Sequence, residues 1–272
     1  MKIDLNNISL QHQINQKEKN TNMSTSLNLE VLKTSVPAIF AERPDPKMSN
    51  RYNFANSRVI LEKLVDSGWQ INSAKQVGDS VYSAHQVILR HNDFNNVGEV
   101  LPQIMFNNSH NGTSKMDISM GIYRLVCSNG LVVPASVANS ISVKHVDLNT
   151  DFTEVMTNDF FSKIPLIFDR MGEMQQRVLG QREIEEFAQR AIDIRFDKSA
   201  NNVDFDQVLR PYREEDQSND LWTIFNLVQE KVIKGGLKFK NTNRRSKPIV
   251  NFINDNKLNT QLWEIAEEYL VV

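Results

Sequence analysis

A cluster of basic side chains in the last part of the chain is the sequence feature with the clearest chemical meaning. The stretch at 231–254 reads KVIKGGLKFKNTNRRSKPIVNFIN and contains no acidic residue. It carries a charge of +7 in a chain whose net charge is −2, so the remainder carries −9. Cations interleaved with phenylalanines are typical of a surface that follows phosphates and stacks bases. The predicted nucleic-acid-binding cations are Lys231, Lys234, Lys238, Lys240, Arg244, Arg245 and Lys247.

The alternative interpretation of this stretch is a solvated loop. In that case Phe239 and Phe252 dock into the hydrophobic core, and the cations only keep the surface hydrated. Sequence alone leaves both interpretations open.

A second polar stretch, NNSHNGTSK at 107–115, gathers small hydrogen-bonding side chains and a cation around Gly112. Such a loop beside a strand can hold a phosphate or a nucleotide. It lacks the GxxxxGK[ST] pattern, so it does not predict ATP hydrolysis by a P-loop. A polar hairpin turn is the alternative. The candidate ligand-loop residues are Asn108, Ser109, His110, Asn111, Thr113, Ser114 and Lys115.

Histidines and carboxylates in the middle of the chain show no recognisable metal or catalytic motif. The residues considered are His85, His110, His145, Asp117, Asp147 and Asp151. The histidines form neither an HxH nor an HExxH arrangement, so we predict no metal site and no cofactor. The aspartates would have to converge to hold Mg²⁺ for a nuclease, and no spacing requires that they do.

The single cysteine lies in GIYRLVCSNGLVV, at 121–133. Because Asn129-Gly130 accepts positive φ, we predict a type I′ hairpin centred on this pair, with Cys127 packed on its flank. A nucleophilic thiol would need a nearby base or a helix N-terminus, and the sequence places neither. Arg124 interrupts this apolar run. It is either paired with a carboxylate or exposed on a working face of the sheet, where it would join the nucleic-acid-binding residues.

The periodicity of apolar residues predicts the elements that must position these side chains. Residues 27–68 follow a helical pattern, 69–147 change to the alternating and apolar runs of strands, and 151–272 are mostly helical again. Gly235-Gly236 is predicted to end a helix just before the basic stretch. We therefore predict an α+β protein with N-terminal helices, a curved antiparallel sheet in the middle of the chain and a helical C-terminal region.

Residues 1–26 are rich in Asn, Gln, Ser, Thr and Lys, with only scattered apolar residues. Such a segment cannot bury enough apolar surface to offset the entropy lost on ordering, so we predict a disordered polar tail. Met23 within it is interpreted as a surface methionine, with an internal start as the alternative. Residues 27–272 are predicted to form a single α+β domain, because this length supports one large core.

The composition is that of a globular protein without a strong charge bias. Hydrophobic residues make up 40% and charged residues 24% of the chain. The net charge of −2 argues against a uniformly basic nucleic-acid binder, though not against a local basic face. No apolar stretch approaches the roughly 18–20 residues that cross a bilayer, which favours a cytoplasmic protein without a membrane partner. The tryptophans with core-like spacing are Trp69, Trp222 and Trp263.

Four blocks of sequence carry a resemblance to a known family. They are PAIFAERPDPKMSNRYNF, FNNSHNGTSKMDISMGIYRLVCSNGLVV, SNDLWTIFNLVQEKVIKGGLK and KLNTQLWEIAEEYL. In this order they resemble the domain of unknown function nine hundred and thirty-two, an uncharacterised family carried by phages, prophages and plasmids. The resemblance extends over residues 30–270 and leaves out the polar tail. It implies a mobile element in a bacterial host, where accessory proteins handle nucleic acid or oppose host defence, and it carries over no catalytic residue.

Three functional hypotheses follow. The leading one is a non-enzymatic accessory protein of a phage or mobile element that binds nucleic acid, prefers single-stranded DNA and acts in recombination or replication. The second is an anti-defence or regulatory protein that binds a host protein or a nucleotide through 107–115. The third is a metal-dependent nuclease, which leaves enzymatic activity open. The order of helices and strands weakly resembles that of single-strand annealing proteins, which would make a homo-oligomer functional, but nothing in the sequence counts subunits.

Overall fold

The structure, a computed structural model, describes residues 28–91, 93, 100–124, 129–132, 152–197, 202–240 and 242–270. The predicted polar tail at 1–26, including Met23, lies outside the described residues, as do Cys127, His145, Asp147 and Asp151. The packing role predicted for the cysteine and the single-domain boundary therefore stay predictions.

Short helical segments precede the sheet. Helix α1 (Leu32–Ser35) is followed by a 3₁₀ turn at Pro37–Phe40, where proline begins the new turn because it needs no amide donor there. Helix α2 (Ser57–Asp66) begins after Asn56, whose side-chain oxygen accepts a hydrogen bond from the Val59 N–H (3.2 Å). Ile60, Leu61 and Leu64 of α2 face the core and fix the helix against the sheet that follows, whereas Val59 and Val65 are exposed.

Five strands form one antiparallel sheet in chain order. They are β1 (Trp69–Gln76), β2 (His85–His91), β3 (Val100–Asn108), β4 (Asp117–Arg124) and β5 (Asn129–Val132). Every strand pairs with its neighbour in sequence, which is the simplest way to connect antiparallel strands. The register of β1 shifts between Ile71 and Ser73, an irregularity of the kind that increases the local twist. The predicted α+β fold with a central antiparallel sheet is confirmed.

The pairing of β4 with β5 contradicts the predicted type I′ hairpin. Asn129 and Gly130 pair with Arg124 and Tyr123 inside the ladder, so this pair lies within a strand and is not the centre of a turn. Gly130 does not take up a left-handed φ. The Asn-Gly pair tolerates positive φ but does not impose it, and here the glycine is part of the strand.

Four helices form the C-terminal region of the described chain: α3 (Phe152–Gln176), α4 (Gln181–Phe196), α5 (Leu221–Lys234) and α6 (Phe252–Glu268). Helix α5 packs against the other three and is buried on all sides over most of its length. It begins after Asp220, whose carboxylate accepts a hydrogen bond from the N–H of Thr223 (2.9 Å). A helix this thoroughly surrounded is the centre of its region, and its two ends are fixed points for the loops beside them.

One continuous cluster of buried apolar side chains joins the N-terminal helices, the sheet and the C-terminal helices. Trp69, Trp222 and Trp263 are each no more than 2% exposed, which confirms the prediction that they belong to the core. The ring of Trp69 packs edge-on against Phe160, and its indole N–H donates to Thr157 Oγ1 (3.0 Å). The sheet is thereby joined to α3.

Both faces of the central strands are covered. Strand β3 is buried at every position except Leu101. Because side chains alternate along a strand, its apolar face carries residues such as Phe106, opposite Val87 of β2, while its other face carries Asn107, opposite Gln86. The central strand therefore presents no open working surface, whereas β1 at the edge of the sheet is half-exposed over 72–76.

Candidate nucleic-acid interface

The predicted basic segment begins in the last turn of α5 and continues into a short hairpin. The pair Gly235-Gly236 (φ +73 and +85) ends the helix as predicted. The chain then doubles back, with the N–H of Phe239 donating to the carbonyl of Arg244 (3.1 Å). A second bond runs from the N–H of Ser246 to the carbonyl of Leu237 (2.8 Å). Residues 237–240 and 242–247 are called the basic hairpin below.

Backbone hydrogen bonds attach the basic hairpin to the segment before α5. The N–H of Lys240 donates to the carbonyl of Asn202 (2.6 Å), and the N–H of Asp204 donates to the carbonyl of Lys238 (3.0 Å). Phe239 packs edge-on against Phe196, as in the alternative interpretation of its role. The backbone is held in place while the cationic side chains remain exposed: Lys238, Lys240, Arg244, Arg245 and Lys247.

The glycine pair allows a prediction about stability. An alanine Cβ at position 235 would lie 2.7 Å from the carbonyl oxygen of Ser246 and from the carbonyl carbon of Lys247, whereas a Cβ at position 236 would meet nothing within 4 Å. Both substitutions force a non-glycine residue into a left-handed conformation, at a cost of about 1–2 kcal/mol. Gly235→Ala should lower the free energy of unfolding in urea by about 1–2 kcal/mol more than Gly236→Ala. Equal losses would contradict the predicted backbone clash.

Most of these cations form no ion pair with a carboxylate of the described residues. Lys234 is ion-paired with Glu230 (2.8 Å). Among the ion pairs formed within the described ranges, none includes Lys231 or a side chain of the basic hairpin. On α4, by contrast, Arg190 forms a two-pronged pair with Glu268. Unneutralised cations close together produce a positive potential that attracts anions.

A cavity of about 560 Å³ lies between the basic hairpin, the end of α5 and the segment before that helix. It is called the basic pocket below. Its charged lining residues are Asp204, Arg210, Lys231, Lys238 and Arg245, so four cations and one carboxylate give a net charge of +3. The carboxylate of Asp204 accepts a bond from the side chain of Gln207 (2.5 Å). The pocket is thus positively charged and is a concavity that opens to solvent.

Tyr212 forms an aromatic wall of the basic pocket. The ammonium of Lys231, a residue only 3% exposed, lies 2.9 Å from the centroid of the Tyr212 ring. An ammonium is stabilised at the face of an aromatic ring, and here the contact sets the two side chains against each other. Tyr212 itself is 66% exposed. Sequence reasoning missed Tyr212 and Arg210, although the sequence RPYR, in which cations flank a tyrosine, was a signal that could have identified them.

An ion-pair network holds Tyr212 in position. Next to it, Arg213 donates two hydrogen bonds to the carboxylate of Glu230 (2.8 and 2.9 Å) and a third to Asp216 (3.0 Å). Burial alone would raise the pKa of Glu230, but the hydrogen bonds from Arg213 and Lys234 keep its pKa below the usual range. The loop that carries Tyr212 is therefore fastened to α5.

Arg124 does not belong to this surface. It is 2% exposed, and its Nη1 lies 3.5 Å from Oδ1 of Asp216. The sequence left two alternatives for Arg124, and the structure shows the first, in which the side chain is paired with a carboxylate. The prediction that Arg124 is exposed on a working face and binds nucleic acid is wrong. The reason is that β4 is covered on both sides, where a cation needs a carboxylate beside it.

The predicted ligand loop forms the connection between β3 and β4, and it uses its polar groups internally. Asn108, Ser109 and His110 are buried. The hydroxyl of Ser109 donates to the carbonyl of Ser114 (2.7 Å). Further along the loop, the N–H and the hydroxyl of Thr113 both donate to the side-chain oxygen of Asn111, while Lys115 is exposed. This geometry favours the alternative, a polar hairpin turn, and nucleotide binding here stays a prediction.

Two buried histidines surround a serine under this loop. Ser57 Oγ lies 2.8 Å from Nε2 of His85 and 3.4 Å from Nε2 of His110, and the hydroxyl also accepts a bond from Asn108 (2.9 Å). Nδ1 of His85 lies 3.0 Å from the carbonyl of Ser83, so this nitrogen is the protonated one. Burial lowers the pKa of both histidines to about 4. The serine and both imidazoles are closed to solvent, so no substrate reaches them here.

The third hypothesis, a metal-dependent nuclease, depends on three aspartates, of which one is among the described residues. Asp117 lies at the start of β4, where burial raises the pKa of its carboxyl group. Its two proposed partners, Asp147 and Asp151, lie outside the described residues. Among the residues that are described, no group of three or more histidine, cysteine, aspartate or glutamate side chains is arranged to hold a metal ion. In the same part of the chain, no helix has the length and apolarity needed to span a membrane.

The fold and the site together define an α+β protein with a positive pocket beside its central helix. Residues 47–263 match the family described as "Domain of unknown function (DUF932)", and the chain belongs to that family, as the sequence resemblance predicted. It is similar to two proteins of Escherichia coli strain K12, UPF0380 protein YafZ and UPF0380 protein YfjQ. Each is 32% identical over 256 residues, which cover 90% of this chain and 92% of the relative. No solved structure matches the chain.

Proposed function

We propose that this protein is a non-enzymatic nucleic-acid-binding accessory protein of a phage or another mobile element, and that it prefers single-stranded DNA. The observation that carries the proposal is the positive surface formed by the basic hairpin and the basic pocket. Its cations are held by a fixed backbone and, within the described residues, Lys231 and the side chains of the hairpin form no ion pair with a carboxylate. Unpaired cations at fixed positions are what a phosphate backbone requires.

A single strand suits this surface better than a duplex. The basic pocket is concave, and its aromatic wall, Tyr212, is exposed. A flexible strand can bring an unpaired base onto such a ring, whereas a duplex keeps its base faces stacked inside the helix. Because the central strand β3 is covered on both faces and the unpaired cations lie in the helical region, the bound DNA strand is expected to follow the helical region.

The distribution of charge supports the same proposal. The stretch at 231–254 carries +7 and the rest of the chain −9. A nucleic acid is therefore repelled by most of the surface and attracted to one part of it, which orients the complex and lowers non-specific attachment elsewhere. We place this binding in recombination or replication, where single strands are exposed.

The test is fluorescence anisotropy of the purified protein with labelled single-stranded and duplex oligonucleotides, without metal and across a series of salt concentrations. We expect tighter binding to the single strand and an affinity that falls with salt by a logarithmic slope of about −0.7 for each neutralised phosphate. If neither oligonucleotide binds detectably at low salt, the proposal is refuted. This result would direct attention to a host protein as partner.

A further inference from the structure

The basic pocket contains the parts of a subsite for one nucleotide. Ligand pockets typically enclose about 300–1,000 Å³, and the volume here, about 560 Å³, lies within that range. Its lining combines one aromatic ring, that of Tyr212, with four cations, and these are the two kinds of group that a nucleotide requires. Lys238 and Arg245 of the basic hairpin line the cavity, so a bound strand can continue along the hairpin.

The cationic side of the pocket matches a phosphate. Nη1 of Arg245 donates to the carbonyl of Gly236 (2.8 Å), which fixes the guanidinium at the rim and leaves its other N–H groups available. Lys238 and Arg210 also line the pocket. The buried ammonium of Lys231 contacts the face of the Tyr212 ring. A bound anion would supply the opposite charge that a buried cation requires.

The aromatic side of the pocket matches a base. Tyr212 has the ammonium of Lys231 against one face of its ring, while 66% of the residue is exposed. A base that stacks on the free surface of the ring would cover apolar area that now faces water, and every base has a face that can do so. Pro211 and the paired Arg213 restrict the backbone on either side, so little order has to be gained on binding.

We propose that the basic pocket binds one nucleotide unit of a single strand, with the base stacked on Tyr212 and the phosphate held by Lys231, Arg210, Lys238 and Arg245. The proposal rests on the proposed function and adds a place and a mode of binding to it. Since stacking tolerates every base, the subsite selects a nucleotide over a nucleoside, and a single strand over a duplex, without selecting sequence.

The test compares Tyr212→Leu with Tyr212→Phe, because phenylalanine keeps the aromatic face and leucine removes it. With a labelled single strand in the anisotropy assay, Tyr212→Leu should weaken binding by about tenfold to a hundredfold without changing the salt slope, and Tyr212→Phe should bind like the natural protein. Tyr82→Leu, in the β1–β2 connection, is the matched control and should have no effect. Circular dichroism verifies that all variants are folded.

A second measurement uses thermal stabilisation by small probes, so that the subsite is tested apart from the strand. A deoxynucleoside monophosphate should raise the melting temperature more than inorganic phosphate does, and the corresponding nucleoside should leave it unchanged. If inorganic phosphate raises the melting temperature as much as the monophosphate does, the proposed contact with the base is overturned.

The possible failures of the two proposals can be distinguished. Single-strand binding that is unaffected in Tyr212→Leu would overturn the nucleotide subsite and leave the proposed function intact. Stabilisation by the monophosphate that Tyr212→Leu abolishes, in a protein that binds no oligonucleotide, would support the subsite and refute the proposed function. No response to either kind of probe would refute both.

Discussion

Replacing four exposed cations of the basic hairpin with alanine is expected to lower the affinity for single-stranded DNA by about a thousandfold at about 50 mM salt. The four are Lys238, Lys240, Arg244 and Arg245. Each cation that neutralises a phosphate releases about 0.7 of a condensed counterion from a single strand, and four such contacts correspond to about three orders of magnitude at this salt concentration. The logarithmic salt slope should become shallower by about 3 units, which anisotropy titrations at several salt concentrations measure directly.

The control for this variant has the same change in net charge at other places on the surface. It replaces four exposed cations that lie outside the stretch at 231–254, namely Arg43, Lys47, Arg51 and Arg182. If binding depends on the hairpin, this control should keep most of the affinity. Equal losses in the two variants would mean that overall charge decides the affinity, and an unchanged affinity in the hairpin variant would remove the hairpin from the binding site.

Lowering the pH from 7 to 5 is expected to destabilise the protein, because two buried histidines are neutral in the folded state. Burial lowers the pKa of His85 and His110 from 6.5 to about 4. Between these values the unfolded chain binds a proton at each ring and the folded protein does not. Their contribution to stability is therefore fully present above pH 6.5 and is lost as the pH falls through about 4. For His85 the loss amounts to about 3 kcal/mol when complete.

Urea unfolding at a series of pH values measures this effect. Near pH 5 the free energy of unfolding should fall by about 2 kcal/mol for each pH unit if both histidines contribute. Buried carboxyl groups act in the opposite direction, because burial raises the pKa of Asp117 and of Asp255. The comparison with His85→Gln, whose amide does not titrate, isolates the histidine part, and its slope should be about half as steep. A stability that does not change between pH 6.5 and 5 in either protein would contradict the prediction.

Salt is expected to change the affinity of the basic hairpin for its ligand but not the structure of the hairpin. The hydrogen bonds that hold it are between neutral groups, as in the bond from Ser246 to Leu237, so ionic strength should weaken ligand binding without loosening the hairpin. The Arg213–Glu230 pair, by contrast, is partly buried and is screened less than a fully exposed pair. The site should therefore keep its shape over the salt range in which its affinity changes most.

The sequence by itself determined the family, the order of helices and strands and the position of the basic segment. These are local properties, because each follows from the spacing of apolar residues, from glycines such as the pair at 235–236 and from charges close together in the chain. The core positions of Trp69, Trp222 and Trp263 followed from the same periodicity.

Only the tertiary structure decided which residues meet. Arg124 and Asp216 are paired although they lie 92 positions apart in the sequence, and Tyr212 contacts Lys231 of a different segment. The spacing of residues along the sequence therefore predicted neither contact. The Asn129-Gly130 pair has the composition of a turn, yet strand pairing places it inside the ladder. The reason is common to these cases: a side chain's role depends on whether the fold buries it and on what the fold brings beside it. Burial forces pairing of polar groups and charges between distant segments, and local sequence does not specify those partners.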